Sequence, residues 1–227
     1  MSGTFEDQKR SAAYAAVDGY VEGGMTVGLG TGTTAFWVVK RIGEFLAGEL
    51  EGVRGIPTSE ATAEHARQEG IPLVDLSEAR PDLTIDGADE IDPGLALIKG
   101  RGGALLREKI VAAAGDGLVV VADSSKLVDA LGEGTLPVEV EPFGWETTVK
   151  ALAGLGSEPE LRMANQQPFV TDGGHYTVDC RFSSIPEPGA LEAEIKGIPG
   201  ALECGLFVGL SKAAVVAREA GTEIIEA

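Results

Sequence analysis

Between Asp86 and Lys109 the chain reads DGADEIDPGLALIKGRGGALLREK, which puts acids, a lysine, a glycine cluster and a further glutamate into one short run. Asp86, Asp89, Glu90 and Asp92 fall within seven positions, where mutual repulsion destabilises the chain unless cations or ligand hydroxyls offset it. The spacing does not suit calcium: EF-hand oxygens fall at loop positions one, three and five, whereas these carboxylates fall at one, four, five and seven. Three readings remain, namely a magnesium site, a solvated acidic turn before Pro93 and Gly94, and hydrogen bonding of Asp86 and Asp89 to sugar hydroxyls with Glu90 and Asp92 in solvent.

Lys99 and a glycine loop directly precede a helical stretch in which Arg107, Glu108 and Lys109 are consecutive. Neighbouring helical residues are about 100° apart, so three of them span roughly 200° and cannot share one narrow solvated stripe. Glu108 has Ala104, Leu105, Val111 and Ala112 one turn away on either side. Such a partly desolvated setting raises a carboxylate toward the range of a general base, the alternative being an ion pair between adjacent charged side chains.

Upstream, VGLGTGTTA follows a strand and opens a helix, so backbone N–H groups from Gly30 to Thr34 could hold an anion. Gly28, Gly30 and Gly32 give GxGxG, not the GxGxxG of dinucleotide folds, and a Walker lysine is missing. The phosphate of a small molecule, met also by the Thr33 and Thr34 hydroxyls, is the expectation; a plain tight turn is the alternative. Lys126, just past the strand in VVVADSSK, could complete an anion site or be a solvated loop lysine.

These residues need a scaffold that gathers them. From Met25 to Ala122 short β-rich runs alternate with helical stretches, which implies right-handed βαβ units and a parallel sheet covered on both faces. Thr58 or Ser59 is placed to cap the helix EATAEHARQEG. In open parallel sheets ligands bind beyond the carboxyl ends of the strands, so Thr31–Thr34, Thr58 and Ser59, Asp86–Asp89 and Asp123–Lys126 should share one rim. After Gly132 the pattern becomes β-α-β-β-α-β, the split arrangement of ferredoxin-like modules, with a hairpin turn at Asp172-Gly173-Gly174. KAAVVAREAG and a TEIIEA strand then return to the first domain. The expected fold is therefore α/β, with a sheet domain over 1–131 and 207–227 and an inserted α+β domain over 132–206.

The chain has 227 residues, ample for such cores, and no apolar run of bilayer-crossing length. Its first residues lack a signal-peptide apolar region, so a cytoplasmic location is expected. Thirty-six acidic against 18 basic residues give a formal charge of −18, a field that repels nucleic acid and anionic membranes. The excess also suggests adaptation to high salt. Cys180 and Cys204 read as buried apolar thiols, and His65 and His175 alone offer little material for a His-ligated metal or a Ser/His/Asp system.

Taken in order, VGLGTGTTA, TSEATAEHA, DGADEIDP, IKGRGGALLREKI, VVADSSK and LPVEVEPFGW resemble ribose-5-phosphate isomerase of the A type over nearly the whole chain. The resemblance implies a Rossmann-like main domain with a ferredoxin-like smaller one, and a homodimer or homotetramer. It also implies interconversion of D-ribose 5-phosphate and D-ribulose 5-phosphate in the pentose phosphate pathway without metal or organic cofactor. Carried over by motif, the proton acceptor is Glu108, with Asp86 and Lys99 also catalytic. Substrate binding falls on Thr31, Gly32, Thr33 and Thr34; on Asp86, Gly87, Ala88 and Asp89; on Lys99, Gly100, Arg101 and Gly102; and on Lys126. Thr33 stands where serine is frequent and keeps the hydroxyl. Arg101 stands where glycine also occurs, so whether it touches ligand or another subunit is open. A basic residue of the first helix near the phosphate would be Arg10, or less favourably Lys9. A sugar-phosphate sensor domain is the rival class, but the chain has no added helix-turn-helix or basic face. An amino-sugar phosphate deaminase would want a histidine on the rim.

Overall fold

The computed structural model describes residues 5–48 and 51–226. In chain order, α1 (Phe5–Tyr20) precedes β1 (Thr26–Leu29), α2 (Thr33–Leu46), β2 (Arg54–Pro57), α3 (Glu60–Gln68) and β3 (Leu83–Gly87). Two short strands, β4 (Glu90–Ile91) and β5 (Leu97–Ile98), lead to α4 (Leu105–Ala114) and β6 (Leu118–Asp123). Then come β7 (Thr135–Val140), α5 (Trp145–Gly154), β8 (Glu158–Leu161), β9 (Met163–Ala164), β10 (Gln167–Pro168) and β11 (Tyr176–Arg181). The chain continues through α6 (Pro188–Lys196), β12 (Ala201–Cys204), β13 (Leu206–Phe207), β14 (Ser211–Arg218) and β15 (Gly221–Glu226).

By their contacts these elements form two compact units. The first takes in the chain through Ala88, Arg107–Lys126 and everything from Leu210 on. Its sheet has the order β15-β14-β6-β3-β1-β2, parallel except for the β14–β15 pair. Every residue of β1 and β6 is buried, as two-sided coverage demands. Ala12, Ala13, Ala16 and Val17 of α1 and Val38, Val39 and Ile42 of α2 form one core with Val27, Leu29, Ile85, Val119 and Val121. The small α1 side chains let that helix lie close to its neighbours. Ser59 caps α3, accepting from the Thr62 N–H at 3.1 Å.

The second unit comprises Asp89–Leu106 and Leu127–Gly209. β7, β8, β11 and β12 pair antiparallel in the order β12-β7-β11-β8, with α5 and α6 as the two crossovers, which is the ferredoxin-like arrangement. A separate three-stranded sheet, β13-β5-β4, belongs to the same unit. Sequence pattern puts 89–106 with the large sheet and begins the insertion at 132, whereas by contact 89–106 and 127–131 group with the smaller unit. The cause is long-range pairing: Leu97 and Ile98 of β5 bond to Phe207 and Leu206 of β13, and Ala96, Ile98 and Leu131 enter the core of Leu136, Val138 and Val178.

Candidate active site

In the larger unit the chain leaves β1 toward β2 on one side, while β3 lies on the other. This is the switch point at which open parallel sheets bind ligands. Two residues there are fitted to each other. A Cβ on Gly30 would stand 2.1 Å from Asp86 Oδ1, so the glycine is what allows the buried Asp86 carboxylate its place. Asp86 Oδ1 accepts from the backbone N–H of Thr31 at 3.1 Å and of Gly87 at 2.7 Å.

The loop beyond Gly30 is tied down by hydroxyls. Thr31 Oγ1 donates to Ser59 Oγ at 2.9 Å and lies 2.8 and 3.1 Å from the Thr58 and Thr62 hydroxyls. Thr62 Oγ1 in turn donates to the Gly30 carbonyl at 2.9 Å. The Thr31 side chain is thus occupied within the protein. Gly32 and Thr33, by contrast, are exposed, and Gly32 has a φ of 114° that suits glycine. The N-terminus of α2 is therefore presented to solvent where an anion could meet its N–H groups.

Of the two cations of α1, Lys9 is the one in contact with this loop, its Nζ 3.1 Å from Thr33 Oγ1 and 3.6 Å from Glu6. Arg10 turns away, 3.4 Å from Asp7 and with its guanidinium 5.7 Å from the centre of the Trp37 ring. Lys126 lies half-buried in a single 3-10 turn directly after β6.

On α4 the three consecutive charges diverge as helical geometry requires. Arg107 reaches Glu60 at 2.9 Å, whereas Glu108 is buried, 3% exposed, and Lys109 is 7% exposed. The helix lies against β1 and β3 where Gly28 leaves space: a Cβ there would be 2.4 Å from Thr84 Oγ1 and 2.8 Å from Val111 Cγ1.

In the smaller unit Lys99 is buried, 3% exposed, its backbone N–H bonded to the Gly205 carbonyl at 2.8 Å and its ammonium 5.3 Å from the centre of the Phe207 ring. Gly100 and Gly103 have φ of 98° and 84°. Asp89 Oδ2 accepts from the Arg101 N–H at 3.0 Å. Ala88 and Asp89 are half-buried, and Gly102 is exposed with open space about it.

Two acids of the DGADEID run are not solvated as the sequence suggests. Glu90 is 3% exposed and accepts from the backbone of Gly132 at 2.8 Å, Glu133 at 3.3 Å and Gly134 at 2.7 Å, and from Arg101 Nη2 at 2.9 Å. Asp92 Oδ1 closes its own turn, accepting from Gly94 at 2.9 Å and Ala96 at 2.8 Å. Arg101 therefore spends its guanidinium on Glu90. Much of the repulsion read into the acidic run is relieved internally by N–H groups and this one cation.

Three potential metal donors, Glu192, Glu203 and Cys204, have ligand atoms within 4.8 Å of one another, but the Lys196 ammonium lies 3.2 Å from Glu203 and opposes a second cation there. Cys180 and Cys204 are buried free thiols, and burial pushes Cys180 up to about 12. His175 Nδ1 lies 2.8 Å from the buried Glu139 carboxylate, and His65 stacks on Phe36. Among the described residues no helix is long and apolar enough to cross a membrane.

The model of the family described as ribose 5-phosphate isomerase A (phosphoriboisomerase A) matches residues 54–221. The chain belongs to this family. It is 56% identical over 220 residues to a ribose-5-phosphate isomerase A of Gloeobacter violaceus, covering 96% of this chain and 95% of that one. A second such protein, of Parvibaculum lavamentivorans, is 47% identical over 230 residues, with 98% and 99% covered. Among solved structures, ribose 5-phosphate isomerase from Plasmodium falciparum superposes with a TM-score of 0.94 at 40% identity, covering 98% and 99% of the two chains. A D-ribose-5-phosphate isomerase in complex with phospho-erythronic acid gives a TM-score of 0.96 at 36% identity, covering 99% and 100%.

Proposed function

We propose that this chain, in interconverting D-ribose 5-phosphate and D-ribulose 5-phosphate, uses Glu108 as the base that carries the proton between C2 and C1. The observation that carries this reading is the burial of Glu108 on a helix whose adjacent Arg107 is engaged elsewhere. Glu108 takes the C2 proton of the open-chain aldose, leaving a cis-enediolate with charge on the C1 oxygen, and returns the proton to C1 while the remaining hydroxyl proton passes from O2 to O1. Lys99 stabilises the developing oxyanion, an effect worth about 3 kcal/mol for one such donor. Asp86, with Asp89, orients the hydroxyls and assists ring opening.

The remote phosphate is received by the N-terminus of α2 with Thr33 and Thr34, helped by Lys9 and Lys126, and its binding energy is converted into alignment of C1 and C2. Thr31 serves this loop through its backbone and internal hydroxyl bonds, and Arg101 serves the second loop through Glu90. Phospho-erythronic acid, bound by a structural relative, supports the reading, since its carboxylate resembles the enediolate end of a phosphorylated sugar chain. The enzyme is further expected to act in the cytoplasm as a homodimer or homotetramer, which sedimentation can test. A coupled assay with ribose 5-phosphate in EDTA tests the activity: turnover that survives chelation is expected, and no turnover with or without the chelator would reject the substrate.

A further inference from the structure

Arg162 lies between β8 and β9, outside every motif that the sequence offers for chemistry. Its guanidinium performs two tasks at once. Nε and Nη2 grip the two carboxylate oxygens of Asp179 on β11, Nε at 2.8 Å from Oδ2, while Nη1 donates to the carbonyl oxygens of Gly100 and Arg101 at 3.2 and 3.0 Å. Both side chains are well covered, at 15% and 22% exposure. Only a planar fork can hold a carboxylate with one edge and two carbonyls with the remaining nitrogen; an ammonium has neither the span nor the geometry.

The anchor is stiff because Asp179 is paired on both sides, with Pro137 of β7 and Glu160 of β8. The same strand end grips the loop again. The Arg162 carbonyl accepts from Phe169 N–H at 2.8 Å, and the Phe169 ring lies so close over Gly103 that a Cβ there would be 2.4 Å from Cζ. Between them, these contacts fix Gly100, Arg101 and Gly103, the residues that follow Lys99 directly.

We propose that Arg162 is a positioning residue for the isomerisation: anchored by Asp179, it sets the backbone of the glycine loop and so holds the Lys99 ammonium where charge develops on the substrate. This rests on the reading of Lys99 as the oxyanion's partner. A ferredoxin-like insertion thereby acquires a task in the reaction, since its sheet supplies the fixed point for the loop.

Steady-state kinetics of Arg162→Gln, Arg162→Lys, Lys99→Ala and the Lys99→Ala/Arg162→Gln double variant, each measured well below its melting temperature, test the proposal. Arg162→Gln should lower kcat roughly 10- to 100-fold with KM within about 3-fold, as misplacement of a distant support does. Arg162→Lys should recover only part of that loss. In the Lys99→Ala background Arg162→Gln should cost less than about 2-fold more, since it acts through the group already removed. A merely structural clamp would lower the melting temperature and leave kcat of the folded enzyme unchanged, and that result overturns the proposal; so does an undiminished loss in the Lys99→Ala background. If Arg162→Gln does not fold, Arg162→Lys decides, alone and with Lys99→Ala, by the same two criteria. A normal kcat for Lys99→Ala would instead remove the reading of Lys99 on which the proposal stands, a failure distinct from a normal kcat for Arg162→Gln beside an impaired Lys99→Ala.

Discussion

The chain carries two glycine-rich loops, and they are held by opposite means. The loop after β1 is fastened by neutral hydroxyls, Thr31, Thr58, Ser59 and Thr62, and by one carboxylate seated in the space over Gly30. The loop before α4 is fastened by charge, through Arg162 with Asp179 and Arg101 with Glu90. The first is proposed to receive a dianionic phosphate on its backbone N–H groups, with Lys9 beside Thr33. The second follows directly on the buried Lys99, and its two arginines leave neither Glu90 nor Asp179 uncompensated. On the proposed reading, fastening mainly by hydroxyls goes with the end of the substrate that is bound, and fastening by ion pairs with the end that reacts.

Glu108→Gln spares both loops and should have the largest effect, a fall in kcat of roughly 10² or more at nearly constant KM; near-normal turnover would remove Glu108 as the base. Gly30→Ala attacks the first loop at its tightest point. Overpacking against Asp86 should cost about 1–3 kcal/mol, seen as a lower melting temperature together with a lower kcat/KM. Adding Asp86→Gly, which removes the Cβ at 2.6 Å as well as the carboxylate, should relieve the overlap and restore part of the stability but not the activity, and if it restores neither, the two positions are not coupled as described. Gly102→Ala in the other loop, where the space is open, is the control and should leave the melting temperature unchanged.

Thr62→Val removes the donor to the Gly30 carbonyl and a partner of Thr31, at a cost of about 1–2 kcal/mol. It should raise KM more than it lowers kcat, the reverse of the pattern expected for Arg162. A kcat effect larger than the KM effect would show that the two loops do not divide binding from reaction. The mildest test concerns the formal charge of −18: thermal stability should climb with potassium chloride as the general repulsion is screened, and salt indifference would dismiss adaptation to high salt.

Much of this arrangement could be read from the chain because it depends on near neighbours. The helical phase of Arg107, Glu108 and Lys109 foretold that Glu108 would be buried apart from Arg107, and strands followed by small polar residues foretold that Thr31, Thr58, Ser59 and Asp86 would meet. The β-α-β-β-α-β order foretold the smaller sheet. What escaped reading depends on partners far along the sequence. Glu90 reads as one more solvated acid because its N–H partners lie at Gly132, Glu133 and Gly134. Arg162 has no signal at all, since its partners are 61 and 62 positions upstream and 17 downstream. Arg10 and Lys9 are adjacent on one helix, so only the docked angle of α1 could show that Lys9 reaches Thr33 while Arg10 lies over Trp37. The contacts of the Thr31 hydroxyl with Thr58, Ser59 and Thr62 are likewise out of reach of a local reading, being 27 to 31 positions away.

The seating of Asp86 over Gly30 has a consequence for how this sequence can change. The two positions share one volume, so a methyl group at position 30 is admissible only if position 86 gives up its whole side chain, whose Cβ would otherwise stand 2.6 Å away. The glycine in the middle of VGLGTGTTA is therefore a signature of the acid some fifty residues later as much as of the anion loop in which it stands. A sequence drifting away from isomerase chemistry would be free to fill position 30 only once position 86 had lost its Cβ as well as its carboxylate, and a chain with that glycine replaced and the aspartate kept would be a misfit in this fold.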